Sequence, residues 1–353
     1  MSGQNNTTVA STGDNNLVLN YGTERNVPLW QTIVNATLLS PIILLGIVGN
    51  MFSLLVWIKG RRRKTSTARY LSALALADIL VLGIPATEFW IANVLHLDIR
   101  ATISVACRSL AYCAFLLPAI SAWILVTVTI ERTISVWFPH RVTVVCRPNI
   151  AVILVLVCTL VLCLVYLPVY TGSGLRRVIN VPTNGDVPFS YDECGILATS
   201  LISNNFVVII ILDLCVLFVF PFGIMLICNV SILLKVICLA RMRRNTLQER
   251  GGQTKSTRVC KSQKMLKTVT RRIIILSTTY FLCNAPLCIF NILLMNSKKN
   301  TVSMDHASIY RNVFHICMFF NNGVNFMLYC LIGSGFRKDL IGIFKSGSRS
   351  SSS

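Results

Sequence analysis

The chain has 353 residues, of which 54% are hydrophobic and 13% charged, with a formal net charge of +20. A soluble domain carries roughly 25% charged residues, so this composition excludes an ordinary soluble protein and points to the membrane. The basic surplus lies beside the ends of apolar runs, where topology and anionic lipid headgroups account for it, and no nucleic-acid partner is expected.

A bilayer core about 30 Å thick is crossed by about 20 apolar residues of helix. After a tail over residues 1–30, seven such runs follow: Gln31 to Ile58, Thr67 to Asn93, Ala101 to Phe138, Ile150 to Tyr170, Leu201 to Leu239, Thr268 to Met295 and Ile309 to Ile332. They predict an all-α membrane protein, a seven-transmembrane helix bundle over 31–332, with 333–353 left for a short C-terminal amphipathic helix and tail. The first tail has neither a basic n-region nor an apolar h-region, so the first span is expected to serve as the insertion signal. Asn5 and Asn6 head N-x-Ser/Thr sequons there and are candidate glycosylation sites. Asn35 and Asn229 head sequons too, but fall at or inside spans and are discounted.

Span one carries Asn50 and is flanked by Trp30 and Trp57, as in an interfacial aromatic belt. The loop after it is basic (Lys59, Arg61, Arg62, Arg63, Lys64), as is the loop after span five (Arg241, Arg243, Arg244, Arg250). Because Lys and Arg are enriched in short cytoplasmic loops, the N-terminus is expected outside and the C-terminus inside, in a multi-pass protein of the plasma membrane.

Ionisable groups at membrane depth are functional candidates by default. Asp78 lies near the middle of span two, at a depth where Asn50, Ser121, Asn321 and Asn325 can converge on it. A carboxylate among hydroxyl and amide oxygens suits a small cation such as sodium or a shuttled proton; the alternative is a hydrogen-bonded polar knot that aids helix packing. Glu88 and Asp213 fall in the outer halves of spans two and five. Facing a central cavity they would receive a cationic ligand group; facing neighbouring helices they would be structural.

Span three opens with Cys107 and closes with Glu131 and Arg132 side by side. Cys107 and Cys194, the latter in the loop "SYDECGI", both face an oxidising compartment and are expected to pair, where most other cysteines sit singly in apolar runs as small hydrophobes. Arg132 offers a rigid fork of donors to a partner, which Glu131 can hold meanwhile. Pro221 and Pro286 bend spans five and six and free backbone carbonyls that must be satisfied by a neighbour or water.

These motifs, in order "GIVGN", "LALAD", Cys107, "ERT", Cys194, Pro221, Pro286, "NFMLY" and "GSGFRKDL", resemble the rhodopsin-like, class A family of G-protein-coupled receptors over nearly the whole chain. The resemblance implies an allosteric sodium ion at Asp78 with Ser121, Asn321 and Asn325, and no other cofactor. It implies that Arg132 contacts a heterotrimeric G protein and that Tyr329 swings inward on activation. It also implies that Cys107 and Cys194 tie the second outer loop to span three and that "GSGFRKDLIGIF" lies on the inner membrane face as an eighth helix. Phe336, Leu340, Ile341 and Phe344 recur there at helical spacing between Arg337, Lys338 and Lys345. The serines of "SGSRSSSS" are read either as phosphorylation sites that recruit a desensitising arrestin or as a short disordered tail.

The chain departs from that pattern in several places. Glu131 replaces the usual Asp and Thr133 the usual Tyr, Asn229 the Tyr of span five, and Phe326 the proline of span seven. Asn284 stands in place of the aromatic switch of span six and joins the candidate ligand pocket. Leu266 stands where many members carry an acidic partner for the arginine, so the inactive lock is expected to rest on Glu131 and ligand-independent signalling to be appreciable.

Ala114 at the amine-binding position and a span seven without Lys argue against amine receptors and visual pigments. A second outer loop with Asp186, Asp192 and Glu193 resembles peptide-type receptors, and "NFMLYCLIGSGFR" is similar to invertebrate neuropeptide receptors, which makes a short basic or amidated peptide the expected ligand. The readings set against this one are a receptor-like partner or decoy that no longer couples and, more remotely, an ion-coupled transporter, for which no internal repeat is visible. No enzyme is expected, since His96, His140, His306 and His315 are scattered and none stands at ligand spacing to another.

Overall fold

The structure is a computed structural model that describes residues 17–20, 28–61, 63–180, 189–197, 206–249, 257–296, 304–332 and 334–350. Asn5, Asn6, Asp186 and the last three serines lie outside the described residues.

Uninterrupted apolar runs fold as helix in a bilayer because each backbone N–H and C=O must be satisfied within the segment. Helix α1 (Leu29–Lys59), α2 (Ser66–Leu95), α3 (Ser104–Trp137) and α4 (Pro148–Gly172) follow one another. Helix α5 runs from Phe206–Asp213 through a π-helical segment, Leu214–Val219, into Phe220–Glu249, and α6 is Thr257–Asn296. Among the described residues these six are long and apolar enough to cross a membrane. The seventh element comes in two pieces, α7 (Met304–Gly323) and α8 (Asn325–Ile332), parted at Val324, and α9 (Ser334–Ser350) follows. Polar residues Arg311, Asn312, Asn321, Asn322 and Asn325 thin the apolar run there, yet the helix forms, with Asn312 and Asn325 bonded inside the bundle to Asn35 and Asp78.

Helix α3 stands at the centre, against α2, α4, α5 and α6, while α1 lies against α2, α7 and α8. The close approach of α1 and α7 rests on two glycines: a Cβ on Gly46 would fall 2.8 Å from the Cα of Gly323, the kind of backbone contact small residues permit in membranes. Helix α4 is the most peripheral. Its Leu156, Leu160 and Leu164, spaced one turn apart, are each 62% exposed and form a stripe for lipid contact.

One end of the bundle carries a sheet that the helical pattern does not anticipate. Strand β2 (Ser173–Asn180) pairs antiparallel with β3 (Phe189–Ile196) and parallel with β1 (Leu17–Asn20). The β2–β3 register sets Arg176 opposite Glu193 and Arg177 opposite Asp192, and both pairs close as ion pairs at 3.2 and 3.4 Å. The other end carries α9, whose Phe336 is buried against Trp57 and Tyr329, with ring centroids 5.6 and 5.5 Å away. Leu340 and Ile343 pack inward with it, whereas Ile341 is turned outward, so the amphipathic face is rotated slightly from the one read in the sequence. Asp339 lies on the buried side, where it accepts from Arg61 Nε at 2.6 Å. Asn35 is fully buried and donates to Asn312 Oδ1 at 3.0 Å, consistent with discounting its sequon.

Candidate functional site

The predicted residues fall into three layers along α3. At the α9 end, Arg132 is paired with its neighbour Glu131, and both side chains are largely buried. Arg132 Nε is buried with no acceptor among the described residues, so the guanidinium is held by one carboxylate only. Tyr329, one turn beyond Asn325 on α8, has its ring buried edge-on to Trp57 of α1 at 5.7 Å and 5.5 Å from that of Phe336.

In the middle layer Asp78 is fully buried. Ser121 Oγ donates to its Oδ1 at 2.7 Å and Asn325 Nδ2 to its Oδ2 at 2.5 Å, so one carboxylate ties α2 to α3 and α8. Among the described residues no hydrogen bond joins Asn50 to this carboxylate: its amide donates to the main-chain carbonyls of Gly46 and Asn322 at 3.0 and 2.8 Å. Among the described residues no hydrogen bond joins Asn321 to the carboxylate. Asn50 Oδ1 and Asn322 Oδ1 are buried without a donor among the described residues. One carboxylate among neutral oxygens is the donor set a hard monovalent cation takes, and among the described residues no cluster of three or more His, Cys, Asp or Glu suits a softer or more highly charged metal.

Just above that layer, α5 shows how the bundle accommodates its prolines. Pro221 cannot donate to the carbonyl of Leu217, four residues back. Tyr280 of α6 supplies the missing donor through its hydroxyl, and Trp123 Nε1 of α3 donates to the neighbouring Val216 carbonyl at 2.9 Å. Both carbonyls lie in the π-helical segment, where the regular ladder is broken. Neither partner was singled out in the sequence. The available signal was Pro221 itself, whose orphaned carbonyl requires a donor from a neighbouring helix, and Tyr280 is a polar-tipped ring in an apolar run.

At the sheet end, Cys107 and Cys194 form a disulfide with Cα atoms 5.5 Å apart, which pins β3 to the start of α3. Arg108 Nε donates to the Ser173 carbonyl at 3.1 Å and holds β2 down in the same way. Beneath this lid is a cavity of about 450 Å³ whose lining includes Phe115, Pro168, Ile209, Arg100 and Arg176.

The three predicted ligand-pocket residues are placed around this region rather than in its wall. Glu88 accepts from Arg100 at 2.5 Å, so it stands behind a lining arginine. Asp213 accepts from the Tyr166 hydroxyl at 2.9 Å and joins α5 to α4. Asn284 is buried and donates to the Tyr280 carbonyl one turn back on its own helix, at 2.8 Å. Sequence spacing does not fix helix rotation this finely, and Arg100 lies between the predicted spans, on the short turn Ile99–Ala101 anchored by Asp98.

A bundle of long apolar helices around a central α3, with a disulfide-pinned lid at one end and a buried Glu-Arg pair at the other, describes a membrane receptor. The family model for the seven-transmembrane receptors of the rhodopsin family matches residues 49–329, and the chain belongs to that family. No curated protein matches it.

Proposed function

We propose that this chain is a G-protein-coupled receptor of the plasma membrane that converts binding of an extracellular peptide into activation of a heterotrimeric G protein. The sheet end faces outside and the α9 end faces the cytoplasm, in keeping with exposed Lys59, Arg61, Arg63 and Lys64 at the latter. The observation that carries the reading is the buried Glu131–Arg132 pair at the far end of the helix whose other end is pinned to the cavity lid.

Binding in the cavity favours one arrangement of the bundle over another, and only the difference in affinity between the two shifts the population. Arg132, once released from Glu131, presents its donors to acceptors on a partner helix. A sodium ion would be held by Asp78 with Ser121 and Asn325, supplying the counter-charge that this buried carboxylate lacks. Helix α9, with Arg337 and Lys338 outward and Phe336 inward, lies on the inner leaflet, and the serines that follow it serve a desensitising arrestin.

The test is G-protein activation in cells expressing the full chain, challenged with a library of short peptides. Activation by a peptide that produces none in untransfected cells supports the reading. Silence to the whole library, with basal signalling equal to that of untransfected cells, counts against it.

A further inference from the structure

The cavity under the lid is positively charged. Among its lining residues the charged side chains are Arg100 and Arg176, set in an otherwise largely apolar wall with Phe115, Pro168 and Ile209. Each guanidinium spends one nitrogen on a carboxylate outside that lining: Arg100 Nη2 on Glu88 at 2.5 Å and Arg176 Nη2 on Glu193 at 3.2 Å. The Nε of each is buried with no acceptor among the described residues.

Arg176 is also fixed in place. A Cβ on Gly195 would lie 2.8 Å from its Nε and 3.0 Å from its Cζ, so the guanidinium lies across the bare backbone of β3. The remaining charges nearby are already engaged: Asp98 caps the Ile99–Ala101 turn, Asp192 pairs with Arg177, Asp213 accepts from Tyr166, and Arg108 holds the Ser173 carbonyl.

We propose that this cavity receives a carboxylate of the ligand, bridged between Arg100 and Arg176. The inference rests on the receptor reading above, in which this end of the bundle faces the extracellular side. Two arginines with donors to spare in an apolar wall favour an anion, because charge-assisted bonds from a rigid fork are strong where little water screens them. The carboxylates behind them hold the guanidiniums in position. A volume of about 450 Å³ admits one or two side chains, so the acidic group belongs to the tip of a peptide that otherwise lies across the sheet. In this proposal the short basic or amidated peptide expected from the sequence gives way to an acidic one, since Arg100 and not Glu88 lines the cavity.

The experiment uses the full chain purified in detergent with its disulfide intact. Its thermal unfolding midpoint is followed against four N-capped dipeptide probes: Glu-Phe with only the side-chain carboxylate free, Glu-Phe with only the C-terminal carboxylate free, Glu-Phe with both amidated, and the amidated Lys-Phe counterpart. A ligand that binds the native state raises the midpoint by mass action. At least one acidic probe is expected to raise it saturably, the neutral and lysine probes not, and the responding probe tells a side-chain from a terminal carboxylate.

In Arg176→Gln the concentration needed rises about tenfold or more, as for loss of one charge-assisted hydrogen bond. Because Arg100→Gln alone strands Glu88, it is made together with Glu88→Gln. Gly195→Ala keeps both arginines but displaces Arg176, and is expected to weaken the acid response with the ligand-free midpoint retained. Equal shifts from acid and amide, a shift from the lysine probe alone, or no shift from either acid overturns the proposal. Acid binding with no G-protein activation by any peptide would uphold the site and overturn the receptor reading; activation indifferent to acidic groups would do the reverse.

Discussion

The hydroxyl of Tyr280 donates to the main-chain carbonyl of Leu217, the group that Pro221 leaves without a donor four residues later. This bond crosses from α6 to α5, and both ends are buried. Phe222 and Phe281 stack beside it with centroids 4.3 Å apart, so the same contact joins the two helices that, on the proposed reading, move apart when a partner reaches Arg132. Tyr280→Phe keeps the ring and strands the carbonyl, at a cost of about 1–3 kcal/mol. The expected result is a lower thermal midpoint and a changed basal signal at matched surface level, both read on the full chain.

Asp78 accepts one bond from α3 and one from α8. Asp78→Asn removes the charge and sets an amide against the Asn325 amide. The wild-type midpoint is expected to rise with sodium chloride above its value in an equal concentration of a bulky organic chloride, and the variant to show no such difference. A sodium effect that survives the substitution would place the ion elsewhere.

Arg132 has its neighbour Glu131 as its ion-pair partner. Glu131→Gln keeps the shape and releases the guanidinium. A change of about 1 kcal/mol moves a two-state ratio about fivefold, so basal G-protein activation is expected to rise severalfold in this variant, measured without added peptide. An unchanged basal signal would mean that the pair does not bias the equilibrium.

Gly46 and Gly83 offer a matched comparison on packing. A Cβ at Gly46 would meet Leu82 Cδ1 at 2.6 Å and the Gly323 backbone at 2.8 Å, whereas one at Gly83 meets nothing within 4 Å. Gly46→Val forces α1 and α7 apart, an overpacking cost of about 1–3 kcal/mol, and is expected to lower both surface expression and midpoint. Gly83→Ala is expected to leave both unchanged or slightly raised, since Ala is the better helix former.

Much of this was legible in the chain because a bilayer leaves few choices. The first four apolar runs became helices within a few residues of their expected bounds, since backbone groups in hydrocarbon have no other way to be satisfied, while α5 continues past Leu239 to Glu249 and α6 begins at Thr257 rather than Thr268. The seventh, read as an apolar run from Ile309 to Ile332, is a helix broken at Val324, two residues before Phe326. Phe326 packs on Gly49, where a Cβ would come 2.8 Å from its own, and beside Phe52 and Phe336.

The convergence of Asp78, Ser121 and Asn325 followed from depth alone. Asn50 and Asn321 sit at the right depth but do not bond to that carboxylate, because depth does not determine helix rotation. The hairpin was not legible, since its register is set by cross-strand pairs and by the disulfide. With it was missed Arg176, which together with Arg100 of the Ile99–Ala101 turn defines the charge of the cavity.

The most direct test of the account is nucleotide exchange on purified heterotrimeric G proteins by the full chain reconstituted in lipid, wild type against Arg132→Ala. Exchange above the receptor-free rate in the wild type, lost in a variant that retains the wild-type thermal midpoint, is the predicted result. Exchange that persists undiminished in Arg132→Ala would contradict the assignment of that end of α3 as the coupling surface.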